Sequence, residues 1–185
     1  MDLKNKNVLV VGAGGTARAI LYALKKLKVS KIYITNRTAK SAINLSKMFN
    51  VQNVSSYKVK TLFSSIDMLI NCSACGMDLQ DVFPFVVDKF NRKLVVYDLI
   101  YSKLTPFVKF AKTNNVKMFR GEGMLVRQGA CSFKMWTGIY PNIKVAQKLF
   151  SKVKFNGYLF FINCNSSFVS ITYKAKKKFY KYCYC

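Results

Sequence analysis

A doubly wound α/β fold, with a parallel sheet of about six strands and helices on both faces, is what this sequence predicts. Short β-branched runs alternate with stretches whose apolar residues recur at helical spacing. A glycine cluster, Gly12-Ala13-Gly14-Gly15, joins the first run to the first such stretch. The chain has 185 residues, 51% of them hydrophobic, which is length enough to bury one core and too apolar a composition to stay unfolded.

The elements follow in order. Val8 to Val11 reads as a strand, and after the glycine turn Ala17 to Leu27 reads as a helix. Lys31 to Thr35 (KIYIT) is a second strand, and Ala39 to Phe49 a second helix with Ala42, Leu45 and Phe49 on one side. A weaker strand signal lies at Val54 to Tyr57. Strong ones follow at Met68 to Asn71 (MLIN) and Leu94 to Asp98 (LVVYD), and a short last one at Val116 to Phe119. Pro106 to Thr113 is helical, with Thr105 as N-cap and proline at the first helical position. Gly123 to Trp136 is a further helix. Strands alternating with helices imply right-handed crossovers between parallel strands, each crossover covering the sheet. Residues 1–152 therefore form one domain. Residues 153–185 show no helical period, end in Lys, Tyr and Cys, and read as a basic, aromatic tail.

Lys and Arg number 31 against 7 Asp and Glu, a net charge of +24. Such an excess suits nucleic acid, an anionic membrane surface or a phosphate-rich ligand. The cations are mostly Lys scattered through every segment, as a biased base composition would spread them. No compact Arg-rich face marks a nucleic-acid interface. The best local candidate for one is Lys174 to Lys181 (KAKKKFYK), which equally suits a solvated terminus. Six Cys lack paired metal-ligand spacing and there is no His, so reduced thiols are expected and a metal site is not. The first residues run directly into a strand, leaving no room for a secretory leader, and Phe155 to Thr172 is interrupted by Asn156, Asn163 and Asn165. A cytoplasmic protein without membrane insertion is the expectation.

Gly12, Gly14 and Ala17 stand where a Rossmann-like dinucleotide fingerprint belongs, after a strand and at the opening of a helix. Gly12 permits the tight turn, Gly14 lets backbone approach a pyrophosphate, and Ala17 allows close helix-to-strand packing. The helix N-terminus then offers N–H groups and partial positive charge to phosphate. Thr35-Asn36-Arg37-Thr38 ends the second strand. An NAD site places a carboxylate there for the ribose 2′-hydroxyl, whereas a guanidinium suits the 2′-phosphate of NADP. With no carboxylate at this point, NADP is the expected cofactor, and Lys40 adds charge nearby.

VLVVGAGGTARA followed by ITNRT resembles the cofactor domain of the shikimate dehydrogenase family. INCSACGM (Ile70 to Met77) is similar to that family's Asn-Ala-Thr segment ending in Gly-Met. YDLIYSKLTPF (Tyr97 to Phe107) is similar to its YD…Y…TPF stretch, and GEGMLVRQGACSF (Gly121 to Phe133) to its GMLV-containing helix. The resemblance covers Lys4 to Lys152. It implies that Gly12, Ala13, Gly14, Gly15, Thr16 and Ala17 hold the pyrophosphate, and Asn36, Arg37 and Thr38 the 2′-phosphate. Leu99 and Gly121 would lie near the nicotinamide. Tyr101 and Gln128 would reach the substrate as phenol and amide donors. Three residues depart from the family pattern: Arg120 where a small or acidic residue is usual, Arg127 where a small or aromatic one is common, and Ser73 in place of Thr.

The family carries its catalytic Lys and Asp in a preceding substrate domain, for which this chain shows no counterpart. The resemblance implies an NADP-dependent enzyme interconverting 3-dehydroshikimate and shikimate in chorismate and aromatic amino-acid biosynthesis, acting once a substrate domain joins it in trans. A split or frameshifted gene would explain both the missing front and the unmatched tail. A non-catalytic NADPH-binding module or truncated fragment is the alternative, and a basic nucleic-acid-binding protein a more distant one. Surface left bare by a lost domain would favour self-association.

Overall fold

The computed structural model describes residues 2–78, 80–101, 104–152, 159–165, 168–175 and 178–184. In chain order the first elements are β1 (Asn7–Val11), α1 (Gly15–Lys26), β2 (Lys31–Thr35), α2 (Ala39–Phe49), β3 (Gln52–Asn53), α3 (Val59–Leu62) and β4 (Met68–Asn71). Next come β5 (Val95–Asp98), α4 (Pro106–Thr113), β6 (Lys117–Arg120), α5 (Glu122–Thr137) and α6 (Ile143–Lys152). The six strands form one parallel sheet in the order β3-β2-β1-β4-β5-β6. The expected doubly wound, Rossmann-like architecture is therefore the observed one.

Alternation along the strands sorts the core into two layers, because successive side chains point to opposite faces. Leu9, Val11, Leu69 and Val96 pack with Phe63, Phe107 and Ala111 on one face. Val8, Val10, Ile34 and Ile70 pack with Ala17, Leu21, Leu24, Ala42 and Leu45 on the other. Most strand residues of β1, β2 and β4 are buried, as expected of a parallel sheet covered on both sides. A cluster of rings anchors the first layer, with Phe63 against Phe83, Phe85 and Phe110. Thr105 caps α4 as expected: its hydroxyl accepts from the Val108 N–H at 3.1 Å, with Pro106 at the first helical position.

One local reading is corrected, and two features were not anticipated. The strand expected at Val54–Tyr57 is instead the two-residue β3, which pairs Gln52 and Asn53 with Tyr33 and Ile34. Val54 still donates to the Ile34 carbonyl, but Lys58 N–H turns back to the Ser55 carbonyl and the chain enters a 3₁₀ turn at Ser56–Lys58. Serine favours such turns over an exposed edge ladder. Helix α6 was not anticipated. Its start signal is Asn142, whose Oδ1 accepts from the Lys144 and Val145 N–H groups at 3.0 and 3.3 Å. Beyond it, β7 (Leu159–Asn165), β8 (Phe168–Ala175) and β9 (Lys178–Tyr184) pair antiparallel as a meander. A segment rich in aromatic and β-branched residues lacks a helical period for that reason. Among the described residues no helix is long and apolar enough to cross a membrane, and no group of three His, Cys, Asp or Glu is placed to hold a metal.

Candidate functional site

In this strand order the chain leaves β1 toward β2 and leaves β4 toward β5, on opposite sides. Their C-terminal ends therefore border a crevice, the usual ligand position of an open α/β sheet. The ladder continues one residue past each strand. Gly12 N–H donates to the Thr35 carbonyl at 2.8 Å, Cys72 N–H to Val11 at 2.8 Å, and Leu99 N–H to Asn71 at 3.1 Å. Those bonds fix where each crevice loop departs.

Gly12 has φ +107°, and a Cβ there would lie 2.8 Å from the Cys72 carbonyl carbon and the Ser73 nitrogen. Neither obstacle is a movable side chain, so the turn requires glycine. Gly14 precedes α1 in an extended conformation, and a Cβ on Gly14 or Gly15 would meet nothing within 4 Å. These two glycines therefore answer to the empty space before them, as a close-approaching phosphate requires. No side chain caps α1 and its first turn holds no acid, so its leading N–H groups and positive dipole end have no anion on the helix itself. The residues present fit a dinucleotide pyrophosphate.

Two clefts meet this loop. The first, about 900 Å³, takes in Gly12, Ala13, Gly14, Asn36, Arg37 and Thr38, with Ser56 and the segment 72–75 across from them. Asn36 donates to the Thr38 carbonyl at 3.1 Å, which shapes the strand-end loop, while Arg37 and Thr38 are exposed on the rim. The second cleft, about 890 Å³, runs between Gly15, Thr16 and Ala19 of α1 and Gly123, Met124 and Gln128 of α5. Met68, Tyr97 and Phe119 also line it.

The structure thus divides the sequence-predicted residues. Ala17, Leu99, Tyr101 and Gly121 line neither cleft. Ala17 is fully buried in the layer under α1, which is the packing role of a small third residue. Leu99 and Gly121 are pressed together, since a Cβ on Gly121 would collide with the Leu99 carbonyl. Tyr101 is half-buried, and burial pushes its phenol above the ordinary range. Of the two unusual cations, Arg120 donates through Nη2 to the Tyr101 carbonyl and pairs through Nε with Glu122 at 3.4 Å. Arg127 bonds the Gly123 carbonyl at 3.1 Å and lies beside the Tyr97 phenol, favouring its ionised form against burial.

Sequence reasoning missed a polar group beneath the crevice. Asn71, Asp98 and Thr105 are wholly buried. Asp98 accepts from Asn71 Nδ2 and Ile100 N–H, each at 3.0 Å, and from the Thr105 hydroxyl. Burial pushes its carboxyl up, while the bonds from Thr105, Ile100 and Asn71 and the charge of Arg120 pull it back. Burial, followed by the Asp98 charge, pushes the neighbouring Cys72 thiol up to about 12. The signal was available, because two apolar strands, MLIN and LVVYD, each end on a polar residue that burial obliges to find a partner.

Two family models match the chain: Shikimate / quinate 5-dehydrogenase over residues 1–79, and Shikimate 5'-dehydrogenase C-terminal domain over residues 121–149. A shikimate dehydrogenase (NADP(+)) of Vesicomyosocius okutanii is 40% identical over 147 residues, which cover 78% of this chain and 54% of that protein. The crystal structure of shikimate dehydrogenase from Aquifex aeolicus superposes with TM-score 0.74 at 33% identity, covering 82% of this chain and 55% of the other. Shikimate 5-dehydrogenase from Thermus thermophilus, solved in complex with NADP(H) and shikimate, gives TM-score 0.69 at 29% identity, over 80% and 55%. The chain spans about half the length of the curated relatives it matches.

Proposed function

The chain belongs to the shikimate dehydrogenase family, and from that membership we propose that it is the NADP-binding half of an enzyme interconverting 3-dehydroshikimate and shikimate. The observation that carries the reading is the crevice at the β1/β4 ends. There an uncapped helix N-terminus and a glycine loop facing open space share a cleft with the end of β2, whose residues Asn36, Arg37 and Thr38 include a guanidinium and no carboxylate; Asp78 and Asp81 also line the cleft.

In this reading Gly12, Ala13, Gly14, Gly15 and Thr16 cradle the pyrophosphate, with Ala17 seating the helix behind them. Asn36, Arg37 and Thr38 take the 2′-phosphate, the guanidinium by charge-assisted bonds. When bound, the nicotinamide supplies the hydride. Leu99 and Gly121, in close backbone contact, form its wall, and Tyr101 and Gln128 reach the substrate as hydrogen-bond donors.

Reducing a ketone also needs a proton at the carbonyl oxygen. Tyr101 holds its proton more firmly than a free phenol, and Asp98 is surrounded by donors with none to give away. The proton therefore comes from the substrate-binding domain, in which the family carries its catalytic Lys and Asp. We infer that this domain joins in trans or as a further part of the polypeptide. Exposed Phe133, Met135, Trp136, Ile139 and Tyr140 make self-association an alternative use of this surface. Free thiols at Cys72, Cys75 and Cys131 fit a cytoplasmic setting.

The test is a titration of NADPH and NADH against the chain and its Arg37→Ala variant. NADPH should bind more tightly, and the variant should lose about ten- to a hundredfold for NADPH alone, the worth of one or two charge-assisted bonds. Equal, weak binding indifferent to Arg37→Ala would refute the cofactor reading. Mixing the chain with a separately made substrate domain should give NADPH oxidation with 3-dehydroshikimate. No turnover above either part alone would refute the catalytic reading.

A further inference from the structure

We propose that Asp98 is a positioning residue that keeps both walls of the crevice in register for a dinucleotide. The inference rests on the NADP reading above. Its basis is the direction of every bond in the buried polar group.

Thr105 Oγ1 accepts from the Val108 N–H at 3.1 Å and gives its one proton to the carboxylate oxygen Asp98 Oδ2. Asn71 Oδ1 accepts from the Ser73 N–H at 3.0 Å and the Ser73 hydroxyl at 2.6 Å. Its amide nitrogen is therefore turned toward Asp98 Oδ1 at 3.0 Å and the Cys75 carbonyl at 3.2 Å. Ser73 Oγ in turn accepts from the Cys75 N–H at 3.2 Å. A carboxylate at position 98 accepts from Asn71, Ile100 and Thr105 together, whereas an amide would turn an N–H toward Thr105 Oγ1 and force the hydroxyl proton away from position 98.

The ends of this group are the two walls. Through Asn71 it holds the Ser73 nitrogen, against which Gly12 rests with no room for a Cβ. Through the Ile100 N–H, at 3.0 Å, it holds the segment between Leu99 and Tyr101, and the Leu99 carbonyl abuts Gly121. Displacing Asp98 shifts the pyrophosphate loop and the nicotinamide wall relative to each other. The Arg37 rim, at the end of β2, has no bond to the group.

That asymmetry separates positioning from a general loss of stability. The ligands are NADPH, which spans both walls, and 2′,5′-ADP, which carries the adenosine with its 2′- and 5′-phosphates and nothing that reaches the nicotinamide wall. Asp98→Asn should weaken NADPH by about ten- to a hundredfold, the worth of one charge-assisted bond or slightly more, and 2′,5′-ADP by less than about threefold. Thr105→Ser, which keeps the hydroxyl, should bind NADPH within about threefold of the parent chain, whereas Thr105→Val should follow Asp98→Asn. If Asp98→Asn does not fold, the two Thr105 variants carry the test. Equal weakening of both ligands, or parental NADPH affinity in Asp98→Asn and Thr105→Val, would overturn the proposal and leave the NADP reading intact. A parent chain that binds neither ligand would overturn both.

Discussion

Replacing each glycine of the loop by alanine should separate the residues that shape the turn from those that make room for a ligand. At Gly12 the new Cβ lies 2.8 Å from two backbone atoms and the residue must keep φ +107°. Left-handed backbone costs about 1–2 kcal/mol for a residue with a side chain, and forced overpacking about 1–3 kcal/mol more. Gly12→Ala should therefore lose about 2–5 kcal/mol, from a total that for a domain of this kind is about 5–15 kcal/mol. At about 2–4 °C per kcal/mol the melting temperature falls by roughly 5–20 °C, with the fold retained at room temperature. At Gly14 the same methyl meets nothing within 4 Å, φ is −92°, and only the weaker capping preference of alanine opposes it, at no more than about 1 kcal/mol. Gly14→Ala should melt within about 4 °C of the parent yet bind NADPH at least about tenfold more weakly, because the methyl occupies the space a phosphate needs. Thermal melts followed by circular dichroism, beside fluorescence titration with NADPH, read both quantities on the same samples. If Gly14→Ala melts as low as Gly12→Ala, or binds NADPH like the parent, the division of roles argued from the Cβ positions is wrong.

Two further outcomes follow from the core and from a buried thiol. Phe63 is fully buried among Phe83, Phe85 and Phe110, so Phe63→Ala should cost about 3–5 kcal/mol; a urea midpoint shift worth less than about 1 kcal/mol would show that the ring cluster is not part of the core. Cys72 is raised from an ordinary value of 9.0 to about 12, so the unfolded chain loses this proton first as pH rises. The stabilisation is complete below about pH 9 and is lost as pH climbs from about 9 to 12, by about 1 kcal/mol per pH unit from this group. Urea unfolding of the parent chain and Cys72→Ala across pH 8–10.5 checks the sign, and a parent stability that rises through this window faster than the variant's would refute it.

Much of the fold was legible along the chain because its rules are local. The boundaries of β2, α2, β4 and α4 match the periodic runs residue for residue, and the α4 cap sits where Thr105-Pro106 placed it. The reading failed at Val54–Tyr57, where propensity suggested a strand but the edge ladder holds only two residue pairs, at Gln52 and Asn53. It passed over α6 because that helix starts on an asparagine cap in a stretch of mixed polarity. The candidate site was legible to the same degree. Gly12, Gly14, Asn36, Arg37 and Thr38 converge on one cleft, whereas Gly15, Thr16 and Gln128 lie on another. No spacing rule separates Gly14 from Gly15, since the division depends on which way α1 leaves the sheet.

The amino-acid order alone determined that strands and helices alternate, that the first βα turn is built of three glycines and one alanine, and that a guanidinium stands where a ribose-binding carboxylate otherwise would. Each of these concerns neighbours within a turn or a strand, where backbone geometry is dictated by the residues themselves. The tertiary structure decided that Asn71 and Asp98, 27 residues apart, share a hydrogen bond, that Gly12 lies against Cys72 and Ser73, and that Leu99 meets Gly121. Those meetings exist because burial of both sheet faces sets β4 between β1 and β5, and strand order is a property of the packed core rather than of any segment of it.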